Sequence, residues 1–429
     1  MGYNRKKYTD DAVPVIKSLN LKSATIRKPP LRRSPRKHPS SEILSSFEPE
    51  PNEPVAEPFE LSETEQLRDE VEKLRLEKKY FLEKISTLEI QIQNRTYSYH
   101  TIKYNKLFFK NQTGLELESF DSLYNFLNPG NNCENMKMYD SSLKAKNAKD
   151  DDIILFCSPN QQKNRRTSKQ GPRTKLDSKD QLFLFLTWLK CGSSLEHSSW
   201  LFQLPTSTIS RYIITWSNFM YFSLGAIPIW PSKDSVIKTM PKCFKETYPS
   251  TRCIIDCTEL YCQRPSGLHS QSCMYSKYKS HVTYKGLVGI APSGAVTFVS
   301  QLYEGSISDK NIVARSGLLD KDLWEAGDSL MADRGFEIRD QLKPINVDLN
   351  IPAFLENRDQ LSEGEVIESQ KIASVRIHIE RAIQRIKLFK QLRNEIPLTL
   401  HGSINQIWTT ACLLCNFMSP LIQKDTQND

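Results

Sequence analysis

Between Leu61 and Arg95 the chain carries neither Pro nor Gly, and apolar residues fall at Leu67, Val71, Leu74, Phe81, Ile85, Leu88 and Ile92. Intervals of 4, 3, 7, 4, 3 and 4 residues trace a heptad seam, interrupted only where Lys78 takes an a position. The pattern predicts a coiled-coil helix over 62–95, opened by the capping box that Ser62 and Glu65 can form. About four heptads suffice to join copies of the chain into a homo-oligomer; an amphipathic helix lying on its own domain is the alternative.

A second helical pattern occupies 177–225. Asp177–Lys190 is apolar-rich and stops at Gly192, Ser194–Gln203 follows, and Thr206–Tyr221 begins after the turn Gln203-Leu204-Pro205. The last segment opens TSTISRYI, placing small hydroxyls ahead of Arg211. A DNA-recognition helix needs such groups to enter a groove, so the region reads as a helix-turn-helix, with a buttressing helical subdomain as the alternative. From Thr251 the texture becomes α/β. Arg252–Leu260, His281–Ile290, Ala295–Tyr303, Ser329–Ala332 and Leu349–Phe354 read as strands, the second and third joined by a hairpin at Ala291-Pro292-Ser293-Gly294. Glu368–Gln391 then reads as a helix buried along Ile372, Val375, Ile379, Ile383 and Ile386.

Charge divides the remainder. The 429 residues hold 58 Lys+Arg against 50 Asp+Glu, but residues 1–40 alone hold eleven bases and two acids, and 41–60 hold six Glu and no base. Eight prolines between Pro29 and Pro58 forbid regular structure, so 21–61 reads as a disordered segment. Its PPLRRSPRKHP cluster fits a nuclear import signal or a phosphate-binding arm, and a solvated charge run equally well. Residues 96–176 show no clear pattern beyond a basic linker with six bases from Lys163 to Lys175. No apolar run reaches the roughly 18 residues of a membrane helix, and the charged N-terminus does not suit a signal peptide. Ten scattered cysteines indicate reduced thiols. Cys253, Cys257, Cys262 and Cys273 lack the paired spacing of a zinc site, and Cys412 and Cys415 lie on an apolar helix where buried thiols are expected.

Three acids resist explanation by solvation. Asp256 sits in mid-strand between Ile255 and Cys257, where an unpartnered charge is costly. Asp333 ends an apolar strand ahead of Gly335. Glu380 is the only acid among seven bases from Lys371 to Arg393, and an Arg376–Glu380 pair is its ordinary explanation. Two strand carboxylates and one from a packed helix make an oxygen-only site for two Mg²⁺ or Mn²⁺ ions, able to activate water and stabilise a leaving 3′ oxygen. That is nuclease or transesterase chemistry.

The segments TRCIIDCTEL, SHVTYKGLVGIAPSGAVTFVSQLYEGSISDKNI, GDSLMADRGFEI, and IPAF followed by ESQKIASVRIHIERAIQRIK together resemble the catalytic domain of PIF/Harbinger-type DDE transposases. The resemblance covers about residues 178–418. It implies an RNase H-like core at 250–420, a mixed sheet flanked by helices, preceded by the helix-turn-helix and the coiled coil. It assigns Asp256, Asp333 and Glu380 as catalytic and metal-holding residues, with Asp309 as either a further metal contact or a helix N-cap. Arg376, Arg381 and Lys387 are expected to hold phosphates, joining Arg211 as contacts to double-stranded element-end and target DNA. Residues Asp11–Ile16 resemble the end of a THAP zinc domain, so 1–20 is expected to be its remnant, lacking the zinc ligands. The functional expectation is a nuclear, metal-dependent transposase; a domesticated DNA-binding or chromatin adaptor is the alternative.

Overall fold

The computed structural model describes residues 63–93, 97–139, 175–355 and 358–422. The THAP-like segment, the Pro-rich stretch, Ser62 of the expected capping box and residues 163–174 of the basic linker lie outside them. The described residues fall into two units, one holding helix α1 and the other beginning at Tyr97. Helix α1 is continuous over Glu63–Gln93. Of its seam, Leu67, Val71, Leu74, Phe81 and Ile85 are all exposed.

In the second unit, residues 97–139 are helical where the sequence shows no pattern. Helices α2 (Lys106–Thr113) and α3 (Leu117–Leu127) are short, and each closes on a left-handed residue, Gly114 and Asn128. Their buried faces are aromatic: Phe109 and Phe120 stack with Tyr99 and Phe183 inside one continuous core. Onto them pack α4 (Ser178–Cys191), α5 (Leu195–Phe202) and α6 (Thr206–Gly225). Asp177 caps α4 by accepting from Asp180 N, and Ser194 caps α5 by accepting from His197 N. Between α5 and α6 the chain turns through Gln203 at φ 52°, Leu204 is buried, and Pro205 starts α6. Thr206, Ser207 and Arg211 on the first turns of α6 are exposed, as a helix-turn-helix requires.

The sheet is seven-stranded among the described residues: β1 (Thr251–Tyr261), β2 (Tyr275–Ser276), β3 (His281–Ile290), β4 (Val296–Val299), β5 (Tyr303–Glu304), β6 (Ser329–Met331) and β7 (Asp348–Asn350). Its path runs β2-β3-β1-β6-β7, with β4 and β5 also on β3. β1 is antiparallel to β3 and parallel to β6, and β6 is parallel to β7. This is the expected mixed α/β, RNase H-like arrangement. A short helix α7 (Leu268–Met274) interrupts the path from β1 to β2, and α8 (Asp309–Ser316) follows β5.

Two departures from the sequence reading have local causes. The expected strand Ala295–Tyr303 divides into β4 and β5 because side chains take over its ladder: Ser300 Oγ accepts from Leu287 N at 2.9 Å, and Asn405 Oδ1 accepts from Leu302 N at 2.8 Å. The expected helix Glu368–Gln391 is α9, over Glu363–Ile386. It starts earlier because Ser362 and Glu365 form a capping box, and a separate turn, α10 (Lys390–Arg393), succeeds it.

The sheet has two dressed faces. Ile254 packs toward the core shared with α9, α6 and the last helix α11 (Ile404–Leu414), while Cys253 and Ile255 face a second core around Ile312, Val313, Phe336 and Leu342. Two glycines permit close approach. Gly192 ends α4 at φ 67°, and a Cβ there would stand 2.8 Å from Lys390 Cβ on α10. At Gly286 in β3, a Cβ would meet the Trp408 ring of α11 at 2.8 Å. Trp408 cannot move aside easily, being fully buried with its Nε1 donating to Ser300 O at 2.9 Å. Gly286→Ala should therefore cost about 1–3 kcal/mol by overpacking. Urea denaturation checks this, and adding Trp408→Phe should restore part of the loss.

Candidate active site

The β1–β6 register places two carboxylates side by side. Ile254 pairs with Met331 across the parallel strands, and Asp256 and Asp333 each lie two residues beyond that pair. β6 ends at Met331, so Asp333 projects from the carboxyl end of the sheet, while Asp256 stays in the ladder opposite Val288. Side chains alternate along a strand, so Asp256 shares the face of Ile254, the face that α9 covers.

Helix α9 brings a cation to this pair. Arg376, 8% exposed, donates from Nη1 to Asp333 Oδ1 at 2.9 Å, and its charge also acts on Asp256. The Arg376–Glu380 pair that would be the ordinary explanation of Glu380 does not form among the described residues. Buried and held by Asp333, the Arg376 guanidinium compensates the acids beside it. Lys387 is also turned to the sheet, donating from Nζ to Glu259 O at 3.2 Å. Burial lowers its ammonium's pKa, with Lys279 adding to that, while Glu259 and Asp256 raise it.

Glu380 lies one turn beyond Arg376 and two turns before Lys387, hence on the same stripe of α9. Its side chain is exposed, and its carboxylate makes no hydrogen bond or ion pair with any described residue. Arg381 is exposed on the neighbouring stripe.

Asp309 approaches from the opposite face. It is the first residue of α8 and not its cap, because Ser308 caps by accepting from Asn311 N. The Lys285 ammonium stands 2.7 Å from Asp309 Oδ1, and the Cys257 thiol's pKa is raised by burial first and by Asp309's charge next. Cys257 and Lys285 both belong to the second-core face, so Asp309 sits across the sheet from Asp256 while still adding negative potential there.

Among the described residues, the one group of three whose donor atoms all lie within 4.8 Å of one another is elsewhere: His100, Asp177 and Asp180. These groups are engaged at the start of α4. His100 Nε2 lies 2.7 Å from Asp177 Oδ2, Asp177 caps the helix, and Asp180 Oδ1 accepts from Tyr99 N at 2.8 Å. Asp256, Asp333 and Glu380 are thus a looser set. They nevertheless fit a hard cation, offering a buried carboxylate, a strand-end carboxylate and an unpartnered one.

Residues 255–416 match the family described as DDE superfamily endonuclease, and residues 174–226 match the helix-turn-helix of DDE superfamily endonuclease. Both regions therefore carry a transposase-like nuclease architecture, in a superfamily whose endonucleases use divalent metals. No curated protein and no solved structure matches the chain.

Desolvation raises the Asp256 carboxyl from 3.8 to about 6, against the lowering effect of Arg376. Between those values the folded protein binds more protons than the unfolded chain, so stability without metal falls as pH rises from about 4 to about 6. A shift of that size corresponds to about 2–3 kcal/mol. In chelator, Asp256→Asn should match wild type near pH 4 and exceed it by about that amount near pH 7, by urea denaturation at both values.

Proposed function

We propose that the chain is a metal-dependent DNA transposase of the PIF/Harbinger type, acting in the nucleus on element-end DNA that its helix-turn-helix recognises. The observation that carries this reading is the register that sets Asp256 beside Asp333 under a helix presenting a free Glu380. Asp256, Asp333 and Glu380 are the residues that would hold Mg²⁺ or Mn²⁺. Such ions supply an activated nucleophile and stabilise the leaving oxygen of an in-line phosphoryl displacement.

The chain's own groups do the rest. Asp256, raised in pKa by burial, has the most to gain from a cation. Arg376 orients Asp333 through its 2.9 Å contact and offsets part of the repulsion between Asp333 and Asp256. Of the α9 cations read as phosphate contacts, exposed Arg381 is left to meet one, and exposed Arg211 extends the footprint to the helix-turn-helix. Arg211 Nε also donates to Tyr139 O at 3.3 Å, which orients its guanidinium.

A second reading, a domesticated adaptor that binds DNA without cutting it, draws on one observation: the Arg376 guanidinium already neutralises Asp333 at 2.9 Å. Cleavage assays separate the two. Asp256→Asn, Asp333→Asn and Glu380→Gln should each lower strand cleavage of element-end DNA by at least about 100-fold, with non-additive losses in double variants and DNA binding in chelator unchanged. A wild-type protein that binds this DNA but cuts it with neither Mg²⁺ nor Mn²⁺ would establish the adaptor.

The exposed seam of α1 supports self-association as part of this function, since transposases must hold two DNA ends together. Leu74→Asp with Leu88→Asp should convert an oligomer into monomer in sedimentation velocity, because a charge at d positions is incompatible with a packed seam. Wild type that is already monomeric at micromolar concentration would remove the coiled coil from the account.

A further inference from the structure

The segment between β1 and β3 has no part in the carboxylate site, yet it is the most conspicuous apolar and basic surface nearby. Residues 263–280 carry helix α7 and strand β2 out from the sheet edge and enclose a cavity of about 820 Å³ with the chain at Gly305–Ile307. Its rim is unusual for a surface loop: Tyr278 is 84% exposed, Leu268 81%, and Tyr275 also stands in solvent. Large exposed rings and aliphatics concentrated on one short excursion mark an interaction surface.

Arg264, Lys277 and Lys285 line the cavity against Glu259 and Glu395, leaving a modest excess of positive charge. Lys277 lines the cavity and makes no ion pair with a described residue, and the Lys279 ammonium lies 4.4 Å from the centre of the Tyr278 ring. Lys285 forms the inner wall, where it also holds Asp309. Glu259 lines the cavity and its backbone oxygen accepts from Lys387 Nζ at 3.2 Å, and that ammonium also responds to Asp256 and Lys279, so one residue of α9 links the rim to Asp256.

We infer that this cavity is a subsite for an unpaired DNA strand beside the cleavage position, in which a base leaves its stack and lies against Tyr278 while Lys277 and Lys279 take the flanking phosphates. The inference rests on the nuclease reading for its location and on the rim for its chemistry. Phosphates of an intact duplex would meet the lysines alone, because paired bases hide their faces; only an unstacked base can use an exposed ring. A tyrosine with a lysine over it suits any base, so the subsite takes strands with little sequence preference.

The test uses the full-length chain in chelator, so that it is independent of cleavage. Fluorescence anisotropy would compare a labelled oligothymidylate strand with a duplex of equal length, for wild type, Tyr278→Ala, Tyr278→Phe and Lys277→Gln. The expected results are about a 10-fold loss of strand affinity in Tyr278→Ala, retention in Tyr278→Phe, and duplex affinity changed less than about 2-fold by either. Lys277→Gln should reduce the salt slope for the strand by about one. Tyr278 is exposed, so thermal unfolding of its variants should match wild type. Strand affinity unchanged in Tyr278→Ala, equal losses on strand and duplex, or tighter binding of an RNA strand of matched sequence would each overturn the inference. Absence of metal-dependent cleavage with the strand results as expected would instead remove the nuclease reading and leave the subsite standing.

Discussion

The charge of Asp256 in the middle of a sheet is the constraint around which the catalytic region is arranged. A carboxylate in a β-ladder loses hydration on both sides of the strand, and the protein repairs this directly only through Cys257 N, which donates to Asp256 Oδ1 at 2.7 Å. Its carboxyl is instead held under the influence of Arg376, whose guanidinium is committed to the adjacent Asp333, while Lys387 acts from the far end of α9. The basic character of α9 follows from that need. Two of its cations turn inward to offset acids that the fold brings together, and only the remaining bases face solvent. A hard cation held beside Asp256 and Asp333 would complete the compensation that these residues leave partial.

The same helix connects chemistry to recognition. Its buried stripe, Ile372, Val375, Ile379 and Ile386, lies in one core with Trp216 of α6, Phe183 of α4 and Trp408 of α11. The helix-turn-helix is thus packed against the nuclease fold, with Gln391 Nε2 donating to Ser193 O at 2.9 Å across the junction. The two regions share one packed core rather than being joined by a tether.

Much of this was legible from spacing alone. Asp256 was conspicuous because aspartate is depleted in strand interiors, and the five-strand pattern with a following helix survives with shifted ends. What local sequence could not show depended on partners distant in the chain. Arg376 and Glu380 stand at ideal helical spacing, yet a strand-end carboxylate 43 residues away takes the arginine. Asp309 reads as a cap or a ligand until the alternation of β1 and β3 places it across the sheet. The break in the third strand depends on Asn405 and Trp408, and helices α2 and α3 acquire meaning only through aromatic contacts with α4. The S-x-x-E signal at Ser362–Glu365 is present in the sequence, but the apolar residues just after it, Val366 and Ile367, stay exposed and off the buried stripe, so a start read from that stripe falls too late.

The central claim is that Asp256, Asp333 and Glu380 form one divalent-cation site, and isothermal calorimetry with Mn²⁺ tests it most directly. Wild-type protein should bind Mn²⁺ with release of protons near pH 6, because a carboxyl raised by burial must ionise to hold a cation. That binding should vanish in the Asp256→Asn, Asp333→Asn double variant and weaken in Glu380→Gln. Mn²⁺ binding of unchanged heat and stoichiometry in the double variant would contradict the account and place the cation elsewhere.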